Sequence, residues 1–359
     1  MRIAFLLPGP ASRPVGGVRA VYRLASGLVD RGHRVSILHP VAWLGASGPT
    51  SPLRRLASWS KHRLLGDFRP VRWLPLDPRV RLRLVPELSA RWIRRVDVLI
   101  ATGRRTMPVV AAQPAGRGVG MALLQHFEDW DGSRQAVIDA WRLPIRKVAI
   151  SRWLCREAEA LGEPCDYIGY GLDHDLFNLQ VRPQDRARPN VALMGHRLEW
   201  KGTAVGLRAV EQARKEIPEL TAEMFTAEPP AAEPPPWVRV HREPAQEQLR
   251  GIYNRAQIFL APSFSEGWDL PATEAMACGA ALIASAIPVR EEYAIHGENA
   301  WLVPARDPAA MAAAIVRLVR DSELRIRLAE NGVRAVRPFT WARCAGRLEQ
   351  AIQSAARRA

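Results

Sequence analysis

The chain has 359 residues, of which 48% are hydrophobic and 24% charged, and its formal net charge is +15 at pH 7. This composition excludes a disordered or fibrous protein, and the length favours two domains that each bury a core. We find no apolar stretch of the roughly 20 residues that a membrane-spanning helix needs.

The first half of the chain alternates predicted strands and helices. A strand is expected at residues 3–7, an amphipathic helix at 18–30, and further strands at 34–38, 97–101, 119–124 and 147–150. The apolar start ends at Pro8, which is too short for a signal-peptide core, so we expect a cytoplasmic protein. The alternation predicts an α/β fold with a doubly wound parallel sheet.

The positive charge is concentrated near the amino terminus, since residues 1–117 contain 21 Lys and Arg but 5 Asp and Glu. Between Arg54 and Arg95, arginines are interleaved with Trp59, Trp73 and Trp92. An ordinary solvated surface or an anionic membrane surface would explain this stretch, and a nucleic-acid backbone is less favoured. The membrane alternative would place the protein at the inner face of the cell membrane.

The second half repeats the same pattern, with strands predicted at 191–194, 221–225, 238–240, 257–261 and 281–284 and a helix at 203–215. Residues 179–189 are polar and proline-containing, and they predict a linker between a domain at 1–178 and a domain at 190–340. A terminal helix at 341–359 is free to pack on either domain, including back on the first.

The cysteines Cys155, Cys165, Cys278 and Cys344 show no paired metal-ligand spacing. In a cytosolic chain they are more typical of buried thiols than of a disulfide framework. We therefore predict no structural metal.

Residues 265–279, SEGWDLPATEAMACG, lie between two predicted strands and contain Glu266 and Glu274. Pro271 suits a first helical position and Gly279 suits the helix end, so residues 265–270 form a loop facing the ligand crevice of the sheet. Backbone N–H groups at the helix start would bind phosphate or sugar oxygens, and Glu274 would accept from hydroxyls. The spacing alone also fits a dipole-complementing Glu274 and a solvated Glu266.

Two further loops follow predicted strands. Residues 195–202, GHRLEWKG, place Arg197 and Lys201 at the mouth of the same crevice, where two cations would stabilise a diphosphate. Gly16 and Gly17 follow the first strand, where the lack of a Cβ permits close approach to a ligand or simply a tight turn. They do not form a G-x-G-x-x-G fingerprint, so a dinucleotide is not expected.

Together these motifs resemble the retaining nucleotide-sugar glycosyltransferases of glycosyltransferase family four, also called group 1, and the resemblance covers nearly the whole chain. Its carriers are Gly16–Gly17, VAISRW at 148–153, GYGLDHDLF at 169–177, residues 195–202, 262–279 and 292–304. The resemblance implies the GT-B architecture, with two Rossmann-like domains facing a central cleft. The first would bind the acceptor and the second the nucleotide sugar.

The resemblance also implies roles for individual residues. Arg197 and Lys201 would bind the donor diphosphate, Glu274 the ribose hydroxyls, and His126 would line the donor-sugar and acceptor site. Glu266 would hold the donor sugar together with the backbone of Gly267, Trp268, Asp269 and Leu270, next to the loop that starts at Gly195. A nucleotide-diphosphate sugar would be the co-substrate, with no metal or other cofactor required.

Three departures from the family pattern affect substrate choice. The usual Gly-Phe-Gly is Gly267-Trp268-Asp269 here, so Asp269 would add a carboxylate near the donor. His196 is inserted before Arg197, which would change the angle at which the arginine reaches the phosphates. Residues 125–130 are similar to a subset of bacterial surface-polysaccharide enzymes that includes rhamnosyltransferases.

The expected activity is therefore transfer of a hexosyl or deoxyhexosyl group to a glycan, glycolipid or other acceptor in cell-surface polysaccharide synthesis. A catalytically inactive nucleotide-sugar or membrane-surface binding protein of the same fold is the main alternative. A sugar-nucleotide epimerase or a phosphorylase is less favoured, since the motifs supply no lysine for pyridoxal phosphate.

Overall fold

The computed structural model describes residues 1–11, 16–44, 51–66, 68–69, 74, 76–114, 116–130, 133–186, 188–229 and 234–358. The chain divides into two compact units, residues 1–171 with 341–359 and residues 172–340. Each unit is built on a parallel sheet with helices in the connections, which confirms the predicted α/β class.

In the described part of the first unit, seven parallel strands have the order β3-β2-β1-β4-β5-β6-β7. They are β1 (Arg2–Leu6), β2 (Arg34–Pro40), β3 (Arg81–Val85), β4 (Val98–Ala101), β5 (Val119–Leu124), β6 (Arg146–Ala149) and β7 (Cys165–Tyr167). The helices are α1 (Gly16–Asp30), α2 (Pro52–Leu65), α3 (Met107–Ala111), α4 (Arg134–Trp141) and α5 (Arg152–Ala160). The strand order reverses between β1 and β4, so their carboxyl ends flank a topological switch point.

The described residues of the second unit form a six-stranded parallel sheet in the order β10-β9-β8-β11-β12-β13. Its strands are β8 (Asn190–Met194), β9 (Thr221–Thr226), β10 (Val238–Arg242), β11 (Ile258–Ala261), β12 (Ala281–Ser285) and β13 (Trp301–Val303). Its helices are α6 (Thr203–Glu216), α7 (Gln246–Arg255), α8 (Leu270–Ala277), α9 (Pro308–Arg320) and α10 (Ser322–Val336). Every residue of β11 and β12 is buried, as expected for central strands covered on both faces.

The last helix, α11 (Trp341–Arg358), belongs to the first unit and packs against α1. A Cβ built on Gly27 would lie 2.6 Å from the Cβ of Ala345, so the contact depends on a glycine. Glu349 accepts from Arg31 at 3.2 Å and lies 2.9 Å from His33 Nε2. The sequence left both domains open as partners of this helix, and the structure places it with the first.

None of the described helices is both long enough and apolar enough to cross a bilayer. Among the described residues no cysteine forms a disulfide; Cys155, Cys278 and Cys344 are buried, and Cys165 is partly buried.

His39, at the end of β2, is fully buried beside Tyr22 and Gly9. A neutral ring with its proton on Nδ1 satisfies both contacts, donating to the Gly9 carbonyl at 3.3 Å and accepting from the Tyr22 hydroxyl at 2.6 Å. Burial lowers the pKa of His39 to about 4.

We expect this histidine to make the protein acid-sensitive. The unfolded chain takes up its proton near pH 6.5 but the folded chain does not, so the free energy of unfolding falls by about 3 kcal/mol between about pH 6.5 and pH 4. Urea unfolding across this range measures the loss, and His39→Gln is the control that lacks the titrating group. Parallel pH profiles for the two proteins would contradict the assignment.

Candidate active site

Two loops of the second unit meet at the carboxyl ends of β8 and β11. The first runs over residues 195–202 and ends in a short turn at Glu199–Lys201, and the second follows β11. The N–H of Phe264 donates to the carbonyl of Trp200 at 2.7 Å, which ties the loops together. The structure therefore brings together the two loops that the sequence predicted to share a crevice.

Gly202 makes this close approach possible. Its φ of 67° is in the left-handed region, and a Cβ built on it would lie 2.2 Å from the Pro262 carbonyl oxygen. Gly297 has a similar φ of 75°, but nothing lies within 4 Å of a Cβ built on it. A substitution at Gly297 therefore introduces backbone strain without a steric clash, which makes it a control for Gly202.

We expect Gly297→Ala to cost about 1–2 kcal/mol from backbone strain. Gly202→Ala is expected to cost about 1–3 kcal/mol more, since the added methyl must displace the second loop. Urea unfolding of the two variants compares them directly. Equal losses of stability would show that the loops are not in the close contact described here.

Lys201 and Glu266 form an ion pair between these loops. Lys201 Nζ lies 2.8 and 2.9 Å from the two carboxylate oxygens of Glu266, which is 5% exposed. Lys201 also lines a small cavity with Met194, Ser263 and Asp269. Lys201 and Glu266, which were predicted from separate motifs, thus meet where the loops after β8 and β11 come together.

Arg197 lies in the same loop as Lys201 but has a different partner. Its side chain is 62% exposed, and its Nε donates to the carboxylate of Glu228, which follows β9. The structure therefore places it in an exposed ion pair, whereas Lys201 pairs with Glu266.

The inserted His196 closes the turn of the first loop. Its Nδ1 accepts from the N–H of Leu198 at 3.0 Å, and its own N–H donates to the Thr203 hydroxyl at 2.9 Å. Burial, with the charges of Lys201 and Arg197 beside it, lowers the pKa of His196 against an opposing effect of Glu228. A neutral ring can keep accepting at Nδ1, so the insertion has a structural role in this loop.

Helix α8 begins at Leu270, with Pro271 in its first turn, and Gly279 follows its end with a φ of 80°. Asp269 caps it, because its Oδ1 accepts from the N–H of Ala272 at 3.3 Å. The other oxygen, Oδ2, accepts from Arg290 at 2.6 Å. The carboxylate that we expected near the donor is thus held by the helix cap and a buried arginine.

Arg290 is 1% exposed and also contacts the Tyr293 hydroxyl. Trp268 is buried next to Asp269, with its ring 5.6 Å from that of Tyr293 and 5.2 Å from that of Phe339. The unusual Trp268-Asp269 pair therefore packs within the second unit. Sequence reasoning missed Arg290, since it lies after the next strand and nothing in the single sequence links it to Asp269.

Glu274 lies in the second turn of α8, which begins one residue before Pro271. It is 3% exposed, and the Tyr253 hydroxyl donates to its Oε2 at 3.3 Å. Burial raises the pKa of Tyr253 well above its usual value, so this hydroxyl keeps its proton. The arrangement holds the Glu274 carboxylate in place.

In the first unit, Gly16 and Gly17 are the first residues of α1 rather than a turn before it. A Cβ built on Gly17 would lie 3.3 Å from Gln125 Oε1, so the start of α1 lies against the residues that follow β5. His126 comes next, with Nδ1 placed 3.0 Å from the Phe127 carbonyl. Its ring lies edge-on to Trp130 at 5.2 Å. These residues form a polar and aromatic surface at the carboxyl ends of β1 and β5.

The remaining predicted residues, Gly195 and Gly267, lie in the two loops of the second unit. A Cβ built on Gly195 would lie 2.7 Å from the sulfur of Met224, so a larger residue there would have to displace the Met224 side chain. Among the described residues, no group of three or more His, Cys, Asp or Glu is placed to hold a metal ion.

Residues 188–321 match the model of the family described as Glycosyl transferases group 1. These residues are a group 1 glycosyltransferase domain. A D-inositol 3-phosphate glycosyltransferase of Corynebacterium glutamicum (strain R) is 36% identical to this chain over 108 residues, 30% of this chain and 26% of the relative. The Corynebacterium kroppenstedtii enzyme of that name is 29% identical over 254 residues, 63% of this chain and 56% of the relative.

These curated relatives are therefore matched over less than two thirds of their own length. Among solved structures, the Anabaena protein HepE in complex with UDP-glucose superposes with a TM-score of 0.73 and 18% identity, covering 99% of this chain and 100% of HepE. Sucrose-phosphate synthase from Thermosynechococcus elongatus gives 0.74 and 18%, covering 99% and 98%. The chain thus has the GT-B fold, with the group 1 glycosyltransferase domain in its second unit.

Proposed function

We propose that the protein is a retaining glycosyltransferase whose second unit binds a nucleotide-diphosphate sugar. The observation that carries the proposal is the Lys201–Glu266 ion pair, which lies inside the matched family region and close to the amino terminus of α8. It supplies a cation for a phosphate and a buried carboxylate for sugar hydroxyls in one place.

Breaking the bond between the anomeric carbon and the diphosphate oxygen leaves negative charge on the phosphate. Lys201 and the N–H groups at the start of α8 would stabilise that charge, and preorganised donors of this kind are typically worth about 3–4 kcal/mol each in the transition state. Arg197 would also contact the phosphate by giving up its ion pair with Glu228. Its side chain is largely exposed, so it is free to turn toward the donor.

The acceptor oxygen bonds to the anomeric carbon on the face that the phosphate leaves, and its proton passes to the leaving phosphate oxygen. This step requires no side-chain nucleophile and retains the anomeric configuration. Glu274 would bind the ribose hydroxyls, and Glu266 with the backbone of residues 267–270 would hold the sugar.

The first unit would bind the acceptor, with His126 beside Trp130 as its polar contact. We propose a glycan or lipid-linked acceptor and a role in bacterial cell-surface polysaccharide synthesis, with a hexosyl or deoxyhexosyl donor. UDP-sugars are the first candidates, because HepE is described in complex with UDP-glucose. The main alternative, an inactive binding protein, shares the donor site but lacks transfer.

Thermal unfolding in the presence of UDP-, GDP-, dTDP- and ADP-sugars tests donor binding. A donor that binds the native state alone at a hundred times its dissociation constant adds about 2.7 kcal/mol to stability, so one nucleotide class is expected to raise the melting temperature by several degrees. The matching nucleoside monophosphate is the control and should act weakly. The absence of a shift with all four classes would contradict the proposal.

A further inference from the structure

Helix α2 presents its leucines to solvent. The side chains of Leu53, Leu56, Leu64 and Leu65 are 78%, 41%, 88% and 62% exposed. With about 3.6 residues per turn, spacings of three and eight residues place Leu53, Leu56 and Leu64 on one side of the helix. Isolated exposed leucines are ordinary, but an aligned set is typical of an interaction surface.

The opposite side of α2 holds the helix to the first unit through polar and aromatic contacts. Arg55 pairs with Glu87 at 3.0 Å, and the Trp59 indole N–H donates to the Leu84 carbonyl at 2.9 Å. The Trp59 ring lies 5.7 Å from the Trp92 ring. The usual order is therefore reversed, because the leucines face solvent while these polar and aromatic residues face the rest of the unit.

Cations flank the leucine stripe. Arg54 and Lys61 are exposed on one side of it, and Arg63, stacked 5.1 Å from the Trp59 ring centre, lies on the other. The helix sequence PLRRLASWSKHRLL contains no acidic residue. An apolar stripe between cations matches the interface of an anionic bilayer, where leucines enter the acyl boundary and cations contact the headgroups.

We propose that the outer face of α2, formed by Leu53, Leu56 and Leu64 with Arg54 and Lys61, docks the protein on an anionic lipid surface. The sequence predicted a membrane-binding region anywhere in the basic stretch of residues 54–95, and this inference assigns it to one face of α2. Arg72 and Trp73 of that stretch lie outside the described residues. It does not depend on the proposed sugar transfer.

Sedimentation with vesicles tests the proposal. The wild-type protein is expected to sediment with vesicles of equal parts phosphatidylglycerol and phosphatidylcholine, and less so as NaCl rises from about 50 mM to about 500 mM. The combined variant Leu53→Gln/Leu56→Gln/Leu64→Gln should bind at least tenfold more weakly. Glutamine preserves helix propensity, and unchanged thermal unfolding will verify the fold.

Ile295→Gln is the matched control, since Ile295 is 56% exposed in the second unit and should not affect binding. Arg54→Gln/Lys61→Gln should weaken binding and reduce its salt dependence. Wild-type protein that stays in the supernatant, or a triple variant that sediments like wild type, would overturn the proposal. So would a lipid-free dimer in sedimentation equilibrium that the triple variant abolishes, since the face would then bind a second copy of the chain.

Discussion

Replacing Lys201 with alanine is expected to lower the rate of sugar transfer at least a hundredfold. The ammonium group is held 2.8 Å from Glu266, so it needs little reorganisation to meet the charge that develops on the leaving phosphate. Loss of one preorganised donor typically costs about 10²–10³ in kcat. Initial rates at saturating donor, with thermal unfolding of the same samples, measure the effect.

Lys215→Ala is the matched control, since Lys215 is an exposed lysine on α6 of the same unit. It should transfer sugar at the wild-type rate. Glu274→Ala should also lose most activity, and its effect should appear first in donor affinity. A Lys201→Ala protein with near-normal rates and intact structure would remove this residue from the mechanism.

Asp269→Asn is expected to lower the free energy of unfolding of the second unit by about 3–5 kcal/mol, the usual cost of removing one partner of a buried ion pair. The substitution leaves the guanidinium of Arg290, 1% exposed, without its carboxylate. Asparagine caps a helix about as well as aspartate, so the cap of α8 is kept and the loss reports on the pair with Arg290. Urea unfolding followed by far-ultraviolet circular dichroism measures the loss.

The double variant Asp269→Asn/Arg290→Met removes the stranded charge and should recover part of that stability. Arg182→Met is a useful control, because Arg182 pairs with Asp185 at an exposed position where ion pairs contribute little. If Asp269→Asn were as stable as wild type, the Asp269–Arg290 pair would not hold the loop as described.

Much of the fold was accessible from the sequence, because buried parallel strands are short apolar runs between helix-periodic segments. Strands β5 and β8 lie within a residue of their predicted ends. Strand β3 was missed, since its sequence RLRLV lies in the arginine-rich stretch and is only partly buried. Strands β7 and β13 are three residues long, too short for a periodic signal.

The part of the candidate site that could be predicted consists of residues in recognisable loop motifs. Lys201 and Glu266 come from loops that follow adjacent strands, so sheet topology alone brings them together. Side-chain partners from distant segments were not predictable. Asp269 was expected near the donor because it replaces a glycine of the family's usual Gly-Phe-Gly, whereas its pairing with Arg290 depends on how the segment after β12 folds back.

Isothermal titration with the nucleotide sugar selected by thermal unfolding tests the central claim most directly, namely that Lys201 and the start of α8 hold a donor diphosphate. We expect saturable binding to wild type and to Lys215→Ala, and at least tenfold weaker binding to Lys201→Ala. Equal affinities for all three proteins, or no binding of UDP-, GDP-, dTDP- or ADP-sugars to wild type, would contradict the account.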